Sequence, residues 1–171
     1  MARNIEIKAR IESVEALAPR AASLADSGPT TILQDDTFFG CSNGRMKLRK
    51  VSDTEGELIF YQRPDHAGPK ESRYFLVPTS CPDALRENLA LAYGVIGRVR
   101  KLRVLFGVGR TRIHLDRVEG LGDFLELEVV MTEHETLETG RSIAQELLQT
   151  LGVSSEQLVS CAYVDLLEHK R

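Results

Sequence analysis

The sequence predicts an α+β fold: an eight-stranded antiparallel sheet, curled or closed into a β-barrel and flanked by helices. Three observations lead there. About eight runs have strand-like composition, most of them are joined by connections of hairpin length, and helical periodicity occurs only at intervals between them. Parallel winding would need a crossover of a dozen or more residues after each strand, which short connections do not supply. At 171 residues and 42% hydrophobic, the chain is expected to form one compact domain over residues 1–171 with an ample core.

The elements follow in order. "MARNIEIKAR" sets Asn4, Glu6, Lys8 and Arg10 on alternate positions, with Ile5, Ile7 and Ala9 between them. Such alternation marks a strand with one polar and one apolar face. Segment 13–26, "SVEALAPRAASLAD", is a helix candidate with Ser13 as N-cap and Pro19 as a residue that shortens or kinks it. "SGPTT" reads as a loop. Strand-like runs follow near 33–39, 45–51, 56–63 and 72–78, with "CSNGR" and "SDTEGE" as hairpin turns among them. "SCPDALRENLALAYG" has a cap, an early proline and a closing glycine, and so predicts a helix. Strands resume near 96–106, 110–116 and 122–131, and "TLETGRSIAQELLQTLG" predicts an amphipathic helix that ends at Gly152.

Composition excludes several classes. A formal charge of −3 argues against a general nucleic-acid binder or a binder of acidic membranes. No apolar run approaches the roughly 18 residues of a membrane span, and no secretory signal is visible at the N-terminus. Cys41, Cys81 and Cys161 are odd in number and lack CxxC spacing, which predicts reduced thiols and a cytoplasmic location.

The charged residues repeat the alternation of the first strand. "RMKLR" places Arg45, Lys47 and Arg49 on one face, and "KLR" places Lys101 and Arg103 together. "RTRIHLD" aligns Arg110, Arg112, His114 and Asp116, and "LELEV" aligns Glu126 with Glu128. For any one strand, a solvated outer face is the simpler reading. Taken together, the segregation argues otherwise. Like charges along one strand repel by about 1 kcal/mol per close pair in water and roughly 4 kcal/mol where the effective dielectric is near 20. Cations concentrated on three strands and carboxylates on two others make sense if these faces converge on a cavity. Such a cavity would hold a polyanion with a divalent cation.

The segments "NIEIKAR", "GRMKLRK", "LIFYQRPD", "KLR", "TRIHLDRVEGLGDFLELEV" and "SCAYVDLL", in this order, resemble the CYTH superfamily. Those proteins are the triphosphate tunnel metalloenzymes, and the class IV adenylyl cyclase-like branch is the nearest in pattern. The resemblance spans essentially the whole chain, and "RIHLDRVEGLGDFLELEV" is its most specific part. It implies an eight-stranded antiparallel β-barrel forming a tunnel, and it implies Mg²⁺ or Mn²⁺ as cofactor.

The resemblance also implies roles. In the family's Glu-x-Glu-x-Lys motif the matching residues are Asn4, Glu6 and Lys8. The first glutamate is therefore absent, which disfavours a second metal. Glu6 and Glu126 match metal-binding glutamates, and Glu128 shares the face of Glu126. Lys8, Arg49, Lys101 and Arg103 match cationic positions that act on the phosphates. Arg112 suits the same purpose, with Lys47 and Arg45 less central and Arg45 near the tunnel mouth. Where many relatives carry a lysine before the proline of "YQRPD", this chain has Gln62. Arg63 is then expected on the opposite face unless a bulge turns it inward. His114 is expected to be packed or hydrogen-bonded, and Asp116 to orient a tunnel arginine, with an approach to the metal as its alternative. Tyr163 lies in a segment that closes the family's tunnel, where substrate contact and core packing are both open to it.

The implied activity is metal-dependent chemistry on a nucleoside triphosphate, cyclisation of ATP to cyclic AMP and pyrophosphate being the leading version. Hydrolysis of an organic triphosphate or of tripolyphosphate is the alternative. A nucleotide- or polyphosphate-binding module without turnover is the reading from another class. A triphosphate is the expected partner, without nucleic acid or membrane. Monomer and homodimer are both open.

Overall fold

The computed structural model describes residues 1–170. Eight antiparallel strands close into a barrel: β1 (Ala2–Arg10), β2 (Ser27–Phe39), β3 (Arg45–Lys50), β4 (Gly56–Gln62), β5 (Lys70–Thr79), β6 (Val95–Val108), β7 (Thr111–Val118) and β8 (Gly122–Val130). Their order around the ring is β1-β5-β4-β3-β2-β6-β7-β8. Four helices accompany them: α1 (Val14–Leu24), α2 (Pro82–Tyr93), α3 (Leu137–Thr150) and α4 (Tyr163–Glu168). Among the described residues no helix is long and apolar enough to cross a membrane.

Alternation decides what each strand face meets, and here the apolar face points outward. Ile5, Ile7 and Ala9 of β1 join Ile113 and Leu115 of β7 and Leu125, Leu127 and Val129 of β8 in a fully buried cluster. Ala21 of α1 and Ala144 and Leu148 of α3 complete it. The main core thus lies between the barrel wall and two helices. Gly140 lets α3 sit close, since a Cβ there would come within 2.5 Å of Met131 Sδ and 2.6 Å of Ile5. On another side, α2 lies over β3 and β2, where Leu48 is fully buried.

Local signals account for most helix ends. Ser13 Oγ accepts from the Ala16 amide at 3.1 Å, and Thr136 Oγ1 accepts from the Thr139 amide at 3.3 Å, each satisfying one free backbone N–H of a first turn. Pro19 sits inside α1, which continues through it to Leu24. At α2 the N-cap position belongs to Cys81, which makes no side-chain capping bond, and Pro82 begins the helix.

Two elements differ from the sequence expectation. "SGPTT" is the start of β2 and not a loop. It pairs with β6 through a register shift between Ser27 and Thr30, and that irregularity accommodates a proline that cannot donate to the ladder. The C-terminal segment forms α4, which packs across one end of the barrel. A second buried cluster unites its Tyr163 and Val164 with Phe38, Val99, Val118 and Phe124, and Val164 presses on Gly97, where a Cβ would meet it at 2.6 Å. The chain reaches that end through a backbone bond from Val159 to the Lys8 carbonyl, 2.9 Å. Lys70, fully buried, donates to the carbonyls of Ser160 and His66 at 2.7 Å each.

Candidate functional site: an ion-paired tunnel

The inward faces of all eight strands meet in a cavity of about 320 Å³. Seven cations line it: Lys8, Lys47, Arg49, Arg63, Lys101, Arg103 and Arg112. They face four lining carboxylates, Glu6, Asp36, Glu126 and Glu128, and Asp116, which is fully buried behind them. Seven against five leaves an excess of two positive charges inside a chain whose net charge is −3.

Each carboxylate is paired with at least one cation, and Arg103 serves two of them. Asp36 accepts from Arg49 at 2.8 and 2.9 Å and from Lys47 at 2.7 Å. Asp116 accepts from Arg103 at 2.6 Å twice, from Lys101 at 3.2 Å and from the Tyr163 hydroxyl at 2.9 Å. Glu126 takes a further bond from Arg103, 2.9 Å, and lies 3.8 Å from Lys8. Glu128 pairs with Arg112 at 2.7 Å, and Glu6 pairs with Arg63. Lys8 also rests 4.2 Å from the centre of the Tyr163 ring, a cation–π contact.

Burial and neighbouring charge compete at every one of these groups. Burial alone would raise Asp36, Asp116 and Glu126, yet Arg49 and Lys47, Arg103 and Lys101, and Lys8 with Arg103, respectively, hold them well below the carboxylate range. Burial pushes Lys101 down to about 8, and Arg103 beside it acts the same way. Burial also pushes His114 down to about 4, with Arg103 adding to the effect. This imidazole is therefore neutral near pH 7, and its Nδ1 is buried without a partner.

Of the residues assigned a role from the sequence, Asn4, Glu6, Lys8, Lys47, Arg49, Arg63, Lys101, Arg103, Arg112, His114, Glu126, Glu128 and Tyr163 line this cavity, with Asp116 buried just behind them, whereas Arg10, Arg45, Gln62 and Arg110 do not. Arg45 lies beyond the closed end, bonded to Asp165 at 2.7 Å and Asp65 at 2.9 Å. Arg110 is at the β7 turn and pairs with Glu135. Arg63 corrects the expectation for "YQRPD". It points inward without any bulge, because Ile59 and Tyr61 occupy the inner face of β4 and Arg63, one residue past the strand's end, continues that alternation. Gln62 faces out, with its amide donating to the Asn43 carbonyl at 2.8 Å. An inward lysine at position 62 would have no place in this register, and Arg63 supplies the charge. The sequence reading passed over Gln34 and Asp36 of β2. Both share the inner face of β2 with Phe38, but Asp35 and Thr37 make the other face polar as well, so alternation in "LQDDTFF" does not single them out.

The donor set suits a hard divalent cation. Glu6 stands directly opposite Glu128 on neighbouring strands, and Glu126 follows two residues along the same face, opposite Lys8. Carboxylate oxygens of this kind are the donors Mg²⁺ and Mn²⁺ favour. Among the described residues no three acidic, histidine or cysteine groups converge as they stand, because Glu6, Glu126 and Glu128 are each turned to an arginine. A divalent cation bound here would have to take these carboxylates from their guanidinium partners. Asn4, after its amide is oriented to its partners, accepts from Arg112 at 3.1 Å, and so contributes to the arginine side of the site.

Fold and site together define a tunnel protein, a closed barrel whose interior is an ion-pair network with cations in excess. The CYTH domain profile matches residues 2–163, and the chain belongs to that family. It is 27% identical over 175 aligned residues to the adenylate cyclase CyaB of Aeromonas hydrophila, covering 96% of this chain and 88% of that one. A Pyrococcus horikoshii structure superposes with a TM-score of 0.85 at 24% identity, covering 95% of this chain and 98% of that one. A Hippeastrum structure, reported for a candidate adenylyl cyclase with a dominant triphosphatase activity, has a TM-score of 0.67 at 16% identity and covers 100% and 97% of the two chains.

Proposed function

We propose that residues 1–171 act as one catalytic unit, a divalent-metal-dependent enzyme on a nucleoside triphosphate that converts ATP to cyclic AMP and pyrophosphate. The observation that carries this reading is the excess of cations over carboxylates in an enclosed tunnel. A polyanion completes that charge balance, whereas a neutral ligand leaves it open.

Lys8, Lys47, Arg49, Lys101 and Arg103 bind the phosphate oxygens, the arginines through paired N–H groups and the lysines as point charges. Asp36 and Asp116 are the positioning residues that keep these cations aimed inward before ligand arrives. Glu6, Glu126 and Glu128 would hold the metal, which would supply charge to draw negative charge from the phosphates. Arg63 and Arg112, released from their glutamates, become free to meet phosphate. In the cyclase reaction the ribose 3′-oxygen forms a bond to the α-phosphorus, the bond from that phosphorus to the bridging oxygen breaks, and pyrophosphate leaves. Cations fixed around the tunnel stabilise the charge that grows on this leaving group.

Hydrolysis of a triphosphate is the second reading. It is supported by the triphosphatase activity reported for the Hippeastrum neighbour, and the same cations would serve a terminal phosphoryl transfer equally well. Against it, Asn4 replaces the carboxylate that would help hold a second metal for activating water.

Chromatography of products from ATP, tripolyphosphate and thiamine triphosphate, each with Mg²⁺ or Mn²⁺, tests the proposal. Cyclic AMP with pyrophosphate is the expected result. Only ADP or AMP with inorganic phosphate would replace the cyclase by the hydrolase. Tight binding with no product under either metal would leave a binding module.

A further inference from the structure

His114 lines the tunnel from the inner face of β7 and is 4% exposed. Its Nδ1 is sealed from solvent without a hydrogen-bond partner, and its neighbours explain why. Across the β6–β7 ladder it meets Leu105, whose side chain has no polar atom. Along its own strand, Arg112 is bound to Glu128 and Asp116 to Arg103. A buried nitrogen left without a bond costs about 1–3 kcal/mol. Packing alone does not require that cost, because an apolar ring would fill the same place without it.

The remaining neighbour is a carboxylate. His114 is paired directly with Glu126 across the β7–β8 ladder, and Glu128, two residues along, is paired with Glu6 on β1. Strands β7, β8 and β1 are consecutive in the ring, so one imidazole and three carboxylates form a continuous inner patch. Directly paired residues have Cβ atoms about 4.5–5.5 Å apart, which puts a cation between His114 and Glu126 within reach of both side chains. Gln34 Oε1 is also buried without a partner, but β2 is four places from β1 and so belongs to the opposite wall. Each glutamate must give up an arginine to take a cation. His114 Nδ1 has no partner to give up.

We propose that His114 gives the divalent-cation site of the tunnel a nitrogen donor beside Glu126 and Glu128, and that this donor makes the site favour Mn²⁺ over Mg²⁺. Mg²⁺ holds to oxygen donors and to its own water, whereas Mn²⁺ takes mixed sets of nitrogen and oxygen more readily. The inference rests on the reading of these glutamates as metal ligands.

Pulsed electron paramagnetic resonance of Mn²⁺ bound to the protein together with tripolyphosphate tests it, since that anion contains no nitrogen. The wild type is expected to show the nitrogen modulation of a directly coordinated imidazole. His114→Phe, which keeps a flat ring and removes both nitrogens, should lose it. Calorimetric titration should give an Mn²⁺ affinity weaker by about tenfold or more in the variant, with Mg²⁺ affinity within about twofold. Mn²⁺ bound to the wild type without the modulation overturns the nitrogen donor, and this spectrum decides the matter even where the variant fails to fold. Modulation that persists in His114→Phe, or equal weakening of both metals, also overturns it. Each of these outcomes leaves the carboxylate site standing. A wild type that binds neither metal overturns that reading and the donor with it.

Discussion

Glu6 and Glu128 face each other directly across the β1–β8 ladder, and Arg63 and Arg112 are what offset their mutual repulsion. Two carboxylates in one cross-strand pair are destabilising unless a positive charge is shared between them. A divalent cation meets that need better than two separate guanidinium groups, so metal should stabilise the fold. Mg²⁺ or Mn²⁺ is expected to raise the Tm of the wild type. In Glu6→Gln, Glu126→Gln and Glu128→Gln that rise should shrink. A tenfold loss of affinity, about 1.4 kcal/mol, corresponds to about 3–6 °C for a chain of this size. Differential scanning calorimetry with and without metal measures it, and an undiminished rise in all three variants would remove these glutamates as ligands.

Arg49 and Arg103 should behave differently on substitution, although both bind carboxylates in the same tunnel. Asp36 retains Lys47 when Arg49 is lost, so Arg49→Gln should leave a folded protein. Its affinity for a triphosphate should fall about 10- to 100-fold, as expected for one lost charge-assisted pair of hydrogen bonds. Arg103 serves both Asp116 and Glu126 in a buried setting. Arg103→Gln should therefore cost about 3–5 kcal/mol of stability. Urea unfolding and calorimetric binding separate the two effects, and unaltered binding by Arg49→Gln would contradict its role.

Asp36 gives a pH-dependent test. Lys47 and Arg49 outweigh burial and hold its folded pKa far below the unfolded value near 3.8. Its stabilisation is thus fully present above pH 4 and is lost as pH falls further, because only the unfolded chain takes up the proton. Asp36→Asn should destabilise the protein by about 3–5 kcal/mol at pH 7. The difference from wild type should narrow below pH 4 by up to about 1.4 kcal/mol per pH unit. Urea titrations at pH 7, 4 and 3 would show this, and a gap that stays constant with pH would contradict it.

Tyr163 joins the barrel end to the charge cluster through one hydroxyl. Tyr163→Phe keeps the ring against Phe124, 4.9 Å between centroids, and against Lys8. It removes the bond to Asp116, with an expected loss of about 1–2 kcal/mol. Tyr163→Ala removes the ring as well and should cost about 3–5 kcal/mol. Equal losses in the two variants would mean that the packing of this ring contributes nothing.

Much of this was legible in the chain because barrel strands repeat with period two. "NIEIK", "RMKLR" and "LELEV" announce their inner faces without help, and all eight strands could be counted. What the alternation does not supply is phase at strand ends. Alternation alone leaves either Gln62 or Arg63 as the inner position, and only the ladder from Arg45↔Tyr61 to Lys50↔Gly56 settles which residue faces in. Pairing between strands far apart in sequence was equally hidden. Nothing in "LQDDTFF" says that Asp36 meets Arg49, and nothing in "SCAYVDLL" says that Tyr163 reaches Asp116. Helix α4 is only six residues long and forms where tertiary packing supports it, which local sequence cannot announce.

Placing the apolar core outside the barrel and the charges inside it divides labour between consecutive residues. Ile5 and Ile7 belong to the core while Glu6 belongs to the tunnel, and Leu125 and Leu127 bracket Glu126 in the same way. Substituting an inner residue can therefore change chemistry without disturbing the packing that specifies the fold. The same arrangement forbids drift in strand length, because a slip of one residue exchanges the two faces and drives Glu126 among leucines. Selection on such a protein is free to vary side chains inside the ring and to lengthen its loops. It must preserve the parity of every strand.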